Sequence, residues 1–301
     1  PPSINTPSRR RGEQGSHSMQ RRSFRFSLVV LFSIVLSGCG VRFAYNQLDW
    51  LIPWYLDDYV ELERHQETLF EDRLQAYLAW HRSDQLPRYA VFLNQVADKA
   101  EAGLNRADIE AIEQQTEVFA EAMMDRMLND LIDLLATASD EQIAQLFQRL
   151  EEDNATYRRE YIEAPPEKQR KQRFKEVIKY AERWTGRLSD DQVGQISDWA
   201  GQFELMGPEI EAARLAWQEE FRRVLALRKD RVAYEQAFRT LISNPRFGRS
   251  DALQEKLDHN SELVVQLYLE LDKTLSQRQR DRMVDKLRNY AQDFQLLAAQ
   301  S

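Results

Sequence analysis

The residue best placed for covalent chemistry is Cys39, the only cysteine in a chain of 301 residues. It closes the tetrapeptide Leu36-Ser37-Gly38-Cys39 at the end of a short apolar run. With no second cysteine there is no disulfide framework, so attachment to this thiol is the chemistry to consider. The other reactive side chains form no catalytic pattern. Beyond Cys39 the histidines are His65, His81 and His259, and none stands in a His-x-x-x-His or Glu-x-x-His spacing. Neither a zincin nor a di-iron bundle is therefore indicated. A Gly-rich phosphate loop and a Gly-x-Ser-x-Gly elbow are also missing. The expectation is a protein that is not an enzyme and holds neither a metal nor a cofactor.

Four groups of residues suggest binding instead. Lys168, Arg170, Lys171, Arg173 and Lys175 form a dense basic run. It could grip an anionic partner, such as a lipopolysaccharide phosphate or an acidic protein loop; the plain alternative is a solvated helix face. Gly194 and Gly201 lie seven residues apart and share a helical face near Trp199 and Phe203. Each glycine costs about 1 kcal/mol relative to alanine in a helix, so the pair suggests a ligand groove or close backbone approach; the plain alternative is a locally loose helix or tight helix packing. Met123, Met124 and Met127 have the spacing of a core stripe, with an adaptable binding surface as the second reading. Phe43, Tyr45, Trp50, Trp54, Tyr55 and Tyr59 could form an interfacial aromatic belt. Asp49, Asp57 and Asp58 fit poorly against anionic headgroups, which favours rings packed into the body of the protein.

The segments that place these residues begin at the N-terminus. Residues 1–18 read as an extension upstream of a natural start at Met19. Residues 19–38 read as an export signal: Arg21, Arg22 and Arg25 precede an apolar stretch from Phe26 to Leu36. That stretch is too short for a bilayer span, which needs roughly 20 apolar residues. With the small residues Ser37 and Gly38 before Cys39, the segment resembles the lipobox of bacterial lipoproteins. The resemblance implies cleavage before Cys39 and acylation of that cysteine. Two or three acyl chains would make attachment effectively permanent, since each buried methylene contributes about 0.8 kcal/mol. Gly40, rather than Asp, follows the cysteine. By enterobacterial sorting this implies the periplasmic face of the outer membrane, with the inner membrane as the alternative.

Residues 1–38 hold six Arg and one Glu, which leaves 35 basic and 48 acidic residues and a net charge of −13 for residues 39–301. Such a surface is repelled by nucleic acid. These 263 residues suffice for one large domain.

Punctuation gives the fold class. Only six Gly and six Pro follow Gly40, mostly at places where a helix should start or stop. Pro87, Pro208 and Pro165-Pro166 suit first turns, and Gly103, Gly186 and Gly207 suit positions past a helix end. Capping boxes recur at Asn105-x-x-Asp108, Ser139-x-x-Gln142, Ser189-x-x-Gln192 and Ser276-x-x-Gln279. Leu104 with Ile109 and Leu188 with Val193 supply hydrophobic staples, whereas Leu275 faces Arg280 and the last box lacks one. Apolar spacing marks a long stripe from Ile109 through Phe119, Met127 and Leu131 to Leu134. The expectation is an all-α, elongated bundle of long antiparallel helices. They are placed at 53–81, 86–102, 105–136, 139–163, 166–185, 189–206, 208–243, 250–273 and 276–298, the last two as a hairpin.

Two resemblances follow. The segment Tyr45-Asn46-Gln47-Leu48-Asp49-Trp50-Leu51, with Trp54, Asp57, Asp58 and Tyr59, resembles the opening of an uncharacterised family of Gram-negative lipoproteins. Leu188-Ser189-Asp190-Asp191-Gln192 and Leu275-Ser276-Gln277-Arg278-Gln279 are similar to the LTxxQ motif of the Spy/CpxP periplasmic stress proteins, and Ala138-Ser139-Asp140-Glu141-Gln142 is a weaker echo. This second likeness implies all-helical binding of unfolded or regulatory partners, but Ser replaces Thr and this chain is about twice as long. Together these features lead to the expectation of a lipoprotein held to the membrane by its lipid anchor. It would bind an envelope protein, as an adaptor or a chaperone-like binder. An amphiphile carrier is the alternative.

Overall fold

The computed structural model describes residues 39–300. The signal segment and its Leu36, Ser37 and Gly38 lie outside the described residues. The chain divides after Gln47 into two units. In the first, helix α1 spans Cys39–Tyr45.

The second unit is all helix and turn among the described residues: α2 Leu48–Asp57, α3 Arg64–Trp80, a π-turn His81–Gln85, α4 Leu86–Ala102, α5 Arg106–Ala136, α6 Asp140–Tyr161, α7 Pro166–Thr185, α8 Asp190–Gln202, α9 Gly207–Ala226, α10 Arg231–Ile242, α11 Asp251–Thr274 and α12 Gln277–Ala298. The all-α expectation holds. Gly103 and Gly186 end α4 and α7 with φ of 95° and 84°, the left-handed region that favours glycine.

Three expected boundaries differ, each for a local reason. The single helix expected over 53–81 is two helices, because the chain turns extended at Glu63 (φ −76°, ψ 155°) and restarts there. The Gln66 side chain accepts the Glu63 N–H at 2.8 Å, so a fifth cap operates from a residue that is not a usual capping type. The gap expected before Pro87 is absent. The wide π-turn carries helix through it, relieving the clash Pro87 would make with the preceding turn. The helix expected over 208–243 breaks at Leu227, and Asp230 caps α10 by accepting the Ala233 N–H at 3.2 Å.

Gly207 starts a helix rather than following one. A Cβ there would lie 2.0 Å from the Tyr161 carbonyl oxygen, so α9 begins in direct backbone contact with the end of α6.

Three apolar clusters hold the unit together. The C-terminal end of α5 meets α6, α9 and α10 around Ile132, Phe147, Phe221, Tyr234 and Phe238. Leu188, Ile196, Trp199 and Phe203 pack with Leu263 and Leu267 of α11 and with Phe174, Val177 and Ile178 of α7. The most extensive helix pair is α4 with α12. It is lined by Ala90, Ala97, Ala100 and Ala291, none more than 1 % exposed. Small side chains on both partners permit this close approach of two backbones.

Two junctions tie helix starts together with the same bonding pattern. At the first, Gln66 and Gln142 exchange amide hydrogen bonds: Gln66 Nε2 donates to Gln142 Oε1 at 3.1 Å, and Gln142 Nε2 to Gln66 Oε1 at 2.6 Å. Gln66 also donates to the Thr137 carbonyl and Gln142 to the Glu61 carbonyl. At the second, Gln192 and Gln279 do the same, at 3.1 and 2.9 Å, with the Thr274 and Arg187 carbonyls as the further acceptors. In all four glutamines Oε1 also accepts the N–H of its own N-cap residue. Each amide thus uses both donors and both lone pairs.

Candidate functional site

An apolar cleft lies between α2, α3 and α5. Leu69, Phe70, Leu74 and Tyr77 of α3 form one wall, Met127, Leu131 and Leu134 of α5 the other, and Ile52 of α2 closes one end. The cleft measures about 750 Å³ including its solvent-filled mouth. Charge gathers only at the rim: Arg73 lies 3.4 Å from Asp130, and Asp133 pairs with Arg231. This is a helix-lined groove with an apolar floor and a charged edge, the form that receives a helix from a partner. Lower down α5, Met123 accepts from the Tyr89 hydroxyl at 3.3 Å, while Met124 is exposed. The methionine stripe therefore divides among packing, solvent and cleft.

The α5 side of this cleft belongs to the stripe legible in the sequence. The α3 side was missed, because the sequence reading merged α2 and α3 and gave no face to either. The available signal was the set Leu69, Phe70, Leu74 and Tyr77, which recurs at steps of one, three and four residues along one helix.

Next to the cleft runs an aromatic chain from Tyr77 through Trp80 and His81 to Tyr89 and Phe119. Burial among these rings lowers the His81 pKa, so this imidazole is held neutral. Gln85, in the same π-turn, is 1 % exposed. A second cleft, between α6 and α9, is polar and is crossed by a hydrogen bond of 2.7 Å that Asn154 Nδ2 donates to Gln218 Oε1.

The residues singled out in the sequence are not all brought together. Gly194 and Gly201 are exposed, with nothing within 4 Å of an added Cβ, so neither brings another backbone close. Trp199 and Phe203 are each 7 % exposed and belong to the core, with ring centroids 5.3 Å apart. The proposed four-residue face is thus an open glycine edge and a separate buried ring pair. The close approach expected of a glycine occurs at Gly207 instead.

The basic run also divides. Lys168, Arg170, Lys171 and Lys175 are exposed on α7. Arg173 turns inward with its guanidinium 3.8 Å from the Phe203 ring centre, and burial lowers its pKa. The N-terminal aromatics of the second unit are less packed than expected. Trp50 and Tyr55 are 54 % and 58 % exposed, and Trp50 stacks on Trp54. Tyr59 is tied down: its hydroxyl donates to Asp153 at 3.0 Å, and hydrogen bonding to Tyr55 with burial raises its pKa strongly. Cys39 is the first residue of α1.

Among the described residues no group of three His, Cys, Asp or Glu side chains is placed to hold a metal ion. No described helix is long and apolar enough to cross a membrane.

No curated protein and no solved structure matches the chain. A family profile does match, over residues 58–250, and so spans the first junction, the α3–α5 cleft and the start of α8 at the second junction. On this match the chain belongs to DUF6279, a family of unknown function.

Proposed function

We propose that this protein is a lipoprotein anchored through acylated Cys39 to the periplasmic face of the outer membrane, and that it works by binding another envelope protein rather than by catalysis. The observation that carries the binding reading is the half-open apolar cleft between α3 and α5. Its floor of Leu69, Leu74 and Leu131 suits the apolar stripe of a partner helix, and its rim of Arg73, Asp130 and Asp133 suits that helix's charged flanks. A carrier of amphiphiles would need a cavity that encloses an acyl chain, whereas this cleft is open along one side. The Ser189 and Ser276 motifs, which resemble LTxxQ, form joined helix caps in this chain, so they support a structural role for the motif more than a chaperone surface. An adaptor with one partner is therefore favoured over a general chaperone.

The test is in-cell photo-crosslinking of the full chain, with a photoreactive amino acid at Phe70 and, as the control, at Gly194. One stoichiometric envelope partner captured from position 70 and lost on Leu131→Glu is the expected result. Many unfolded clients would support the chaperone reading instead, and capture of lipid without protein would move the carrier reading to the front.

A further inference from the structure

The polar cleft between α6 and α9 gathers charges of both signs that have no partner in the fold. Phe147, Glu151 and Asn154 line its α6 wall, and Gln218, Glu219 and Arg222 line its α9 wall. The spacing within each set keeps it on one helical face. The cleft measures about 760 Å³ including its solvent-filled mouth.

Three contacts fix the register of the two walls. The Arg222 guanidinium carbon lies 3.8 Å from the Phe147 ring centre. Asn154 Nδ2 donates to Gln218 Oε1 at 2.7 Å, and Arg158 Nε donates to Glu211 Oε1 at 2.8 Å. Residue numbers rise along α6 as they fall along α9, so the two helices run antiparallel. Glu151 follows Phe147 by four residues and Glu219 precedes Arg222 by three. The two carboxylates therefore stand at one level of the cleft, about one helical turn, or 5 Å, from the guanidinium. The amides of Asn154 and Gln218 lie on the far side of that level, with Leu215 and Ala155 beside them.

Around the cleft opposite charges are paired: Arg149 with Glu152 and Asp153, Arg158 with Glu211, and Arg223 with Glu220. Inside it they are not. Among the described residues Glu151, Glu219 and Arg222 make no ion pair and no side-chain hydrogen bond. Stacking on Phe147 holds the Arg222 guanidinium in place and leaves its N–H donors unused. Asn154 is 6 % exposed and uses one N–H on Gln218, which returns a longer bond of 3.4 Å. Each of these amides keeps one N–H and one lone pair for another partner.

We infer that this cleft binds a free α-amino acid with a carboxamide side chain. A lone anion at Arg222 would face two carboxylates, and a lone cation at the carboxylates would face a guanidinium. A ligand that carries an ammonium beside a carboxylate answers both. The ammonium has donors for Glu151 and Glu219, and the carboxylate suits the fork of Arg222. The side chain then runs toward the Asn154–Gln218 pair, whose remaining donor and acceptor match a carboxamide. The site is separate from the α3–α5 cleft and does not rest on the partner reading.

Isothermal titration calorimetry of the full chain in a non-ionic detergent tests this, with L-glutamine as the probe. Two analogues each lack one charge: 4-aminobutanamide has no carboxylate, and glutaramate has no ammonium. Glutamine is expected to bind at one site, and each analogue at least about tenfold more weakly. Arg222→Gln should weaken glutamine by a similar factor and leave 4-aminobutanamide unaffected. Glu151→Gln with Glu219→Gln should weaken glutamine and leave glutaramate unaffected. All three side chains are exposed, so the fold is expected to survive these changes. No binding of glutamine up to about 10 mM overturns the proposal. So does an analogue that binds as well as glutamine, or a variant that weakens glutamine and its matched analogue alike. Tighter binding of phosphoethanolamine than of glutamine would also overturn it and reassign the cleft to a lipid headgroup.

Discussion

The junction of Gln66 with Gln142 and that of Gln192 with Gln279 use one bonding pattern in two settings. At the first, both amides are buried, 1 % and 6 % exposed. At the second, Gln192 is 1 % exposed but Gln279 is half-buried. Beside the first junction Arg228 donates to the Ala138 carbonyl at 2.8 Å and pairs with the exposed Asp140, whereas at the second junction the ion pair has a buried acid. Arg280, the neighbour of Gln279, forms a two-bond ion pair with Asp272 at 2.8 and 3.2 Å and also donates to the Ala100 and Asp272 carbonyls. Asp272 in turn accepts the Leu104 N–H at 3.1 Å, which joins the ends of α4 and α11 to the start of α12. This explains why the last capping box has Arg280 where a hydrophobic staple would stand: the position serves a buried ion pair. The same local motif can thus stand beside an ion pair whose acid is exposed or one whose acid is buried.

The largest expected effect is at that charge. Arg280→Ala leaves Asp272 buried without its cation and should cost about 3–5 kcal/mol, read as a lowered urea midpoint with unchanged slope. A loss under about 1 kcal/mol would mean that the second junction stands on its amides.

Next come the amides themselves. Gln142→Ala removes the partner of a fully buried Gln66 and should cost about 1–3 kcal/mol. Gln279→Ala should cost less, because solvent can reach the groups it leaves behind. Double-mutant cycles on the two pairs should give the larger coupling energy at Gln66–Gln142. Equal couplings would show that burial does not distinguish the junctions.

The smallest effects are at the caps. Ser276→Ala should cost about 1 kcal/mol. Glu63→Ser should stabilise α3 by about 0.5 kcal/mol, because serine is the better N-cap. Both are measurable as shifts in thermal midpoint, and a destabilising Glu63→Ser would show that Glu63 contributes through its 3.4 Å contact with His65.

The sequence reading found the caps whose residue types announce themselves. Asn105, Ser139, Ser189 and Ser276 are all bonded to the N–H of the third residue on. It missed Glu63, which is an unusual cap, and Asp230 and Ser250, which lack a returning partner three residues on. Of the candidate binding residues it located the exposed lysines of α7 and the α5 wall of the cleft. It could not tell the glycines apart, since a helical glycine at a solvent edge and one against another backbone look alike in sequence: Gly201 has open space and Gly207 has none.

The sequence by itself determined the helices and most of their ends, because a cap bond spans three residues and an apolar stripe repeats within one helix. Only the tertiary structure decided that Gln66 faces Gln142, that Arg280 neutralises Asp272, and that half of the α5 stripe is left as an open cleft. Those pairings join residues 76 and 8 positions apart. They depend on which helix faces pack together, and a pattern read along one helix carries no information about its neighbour.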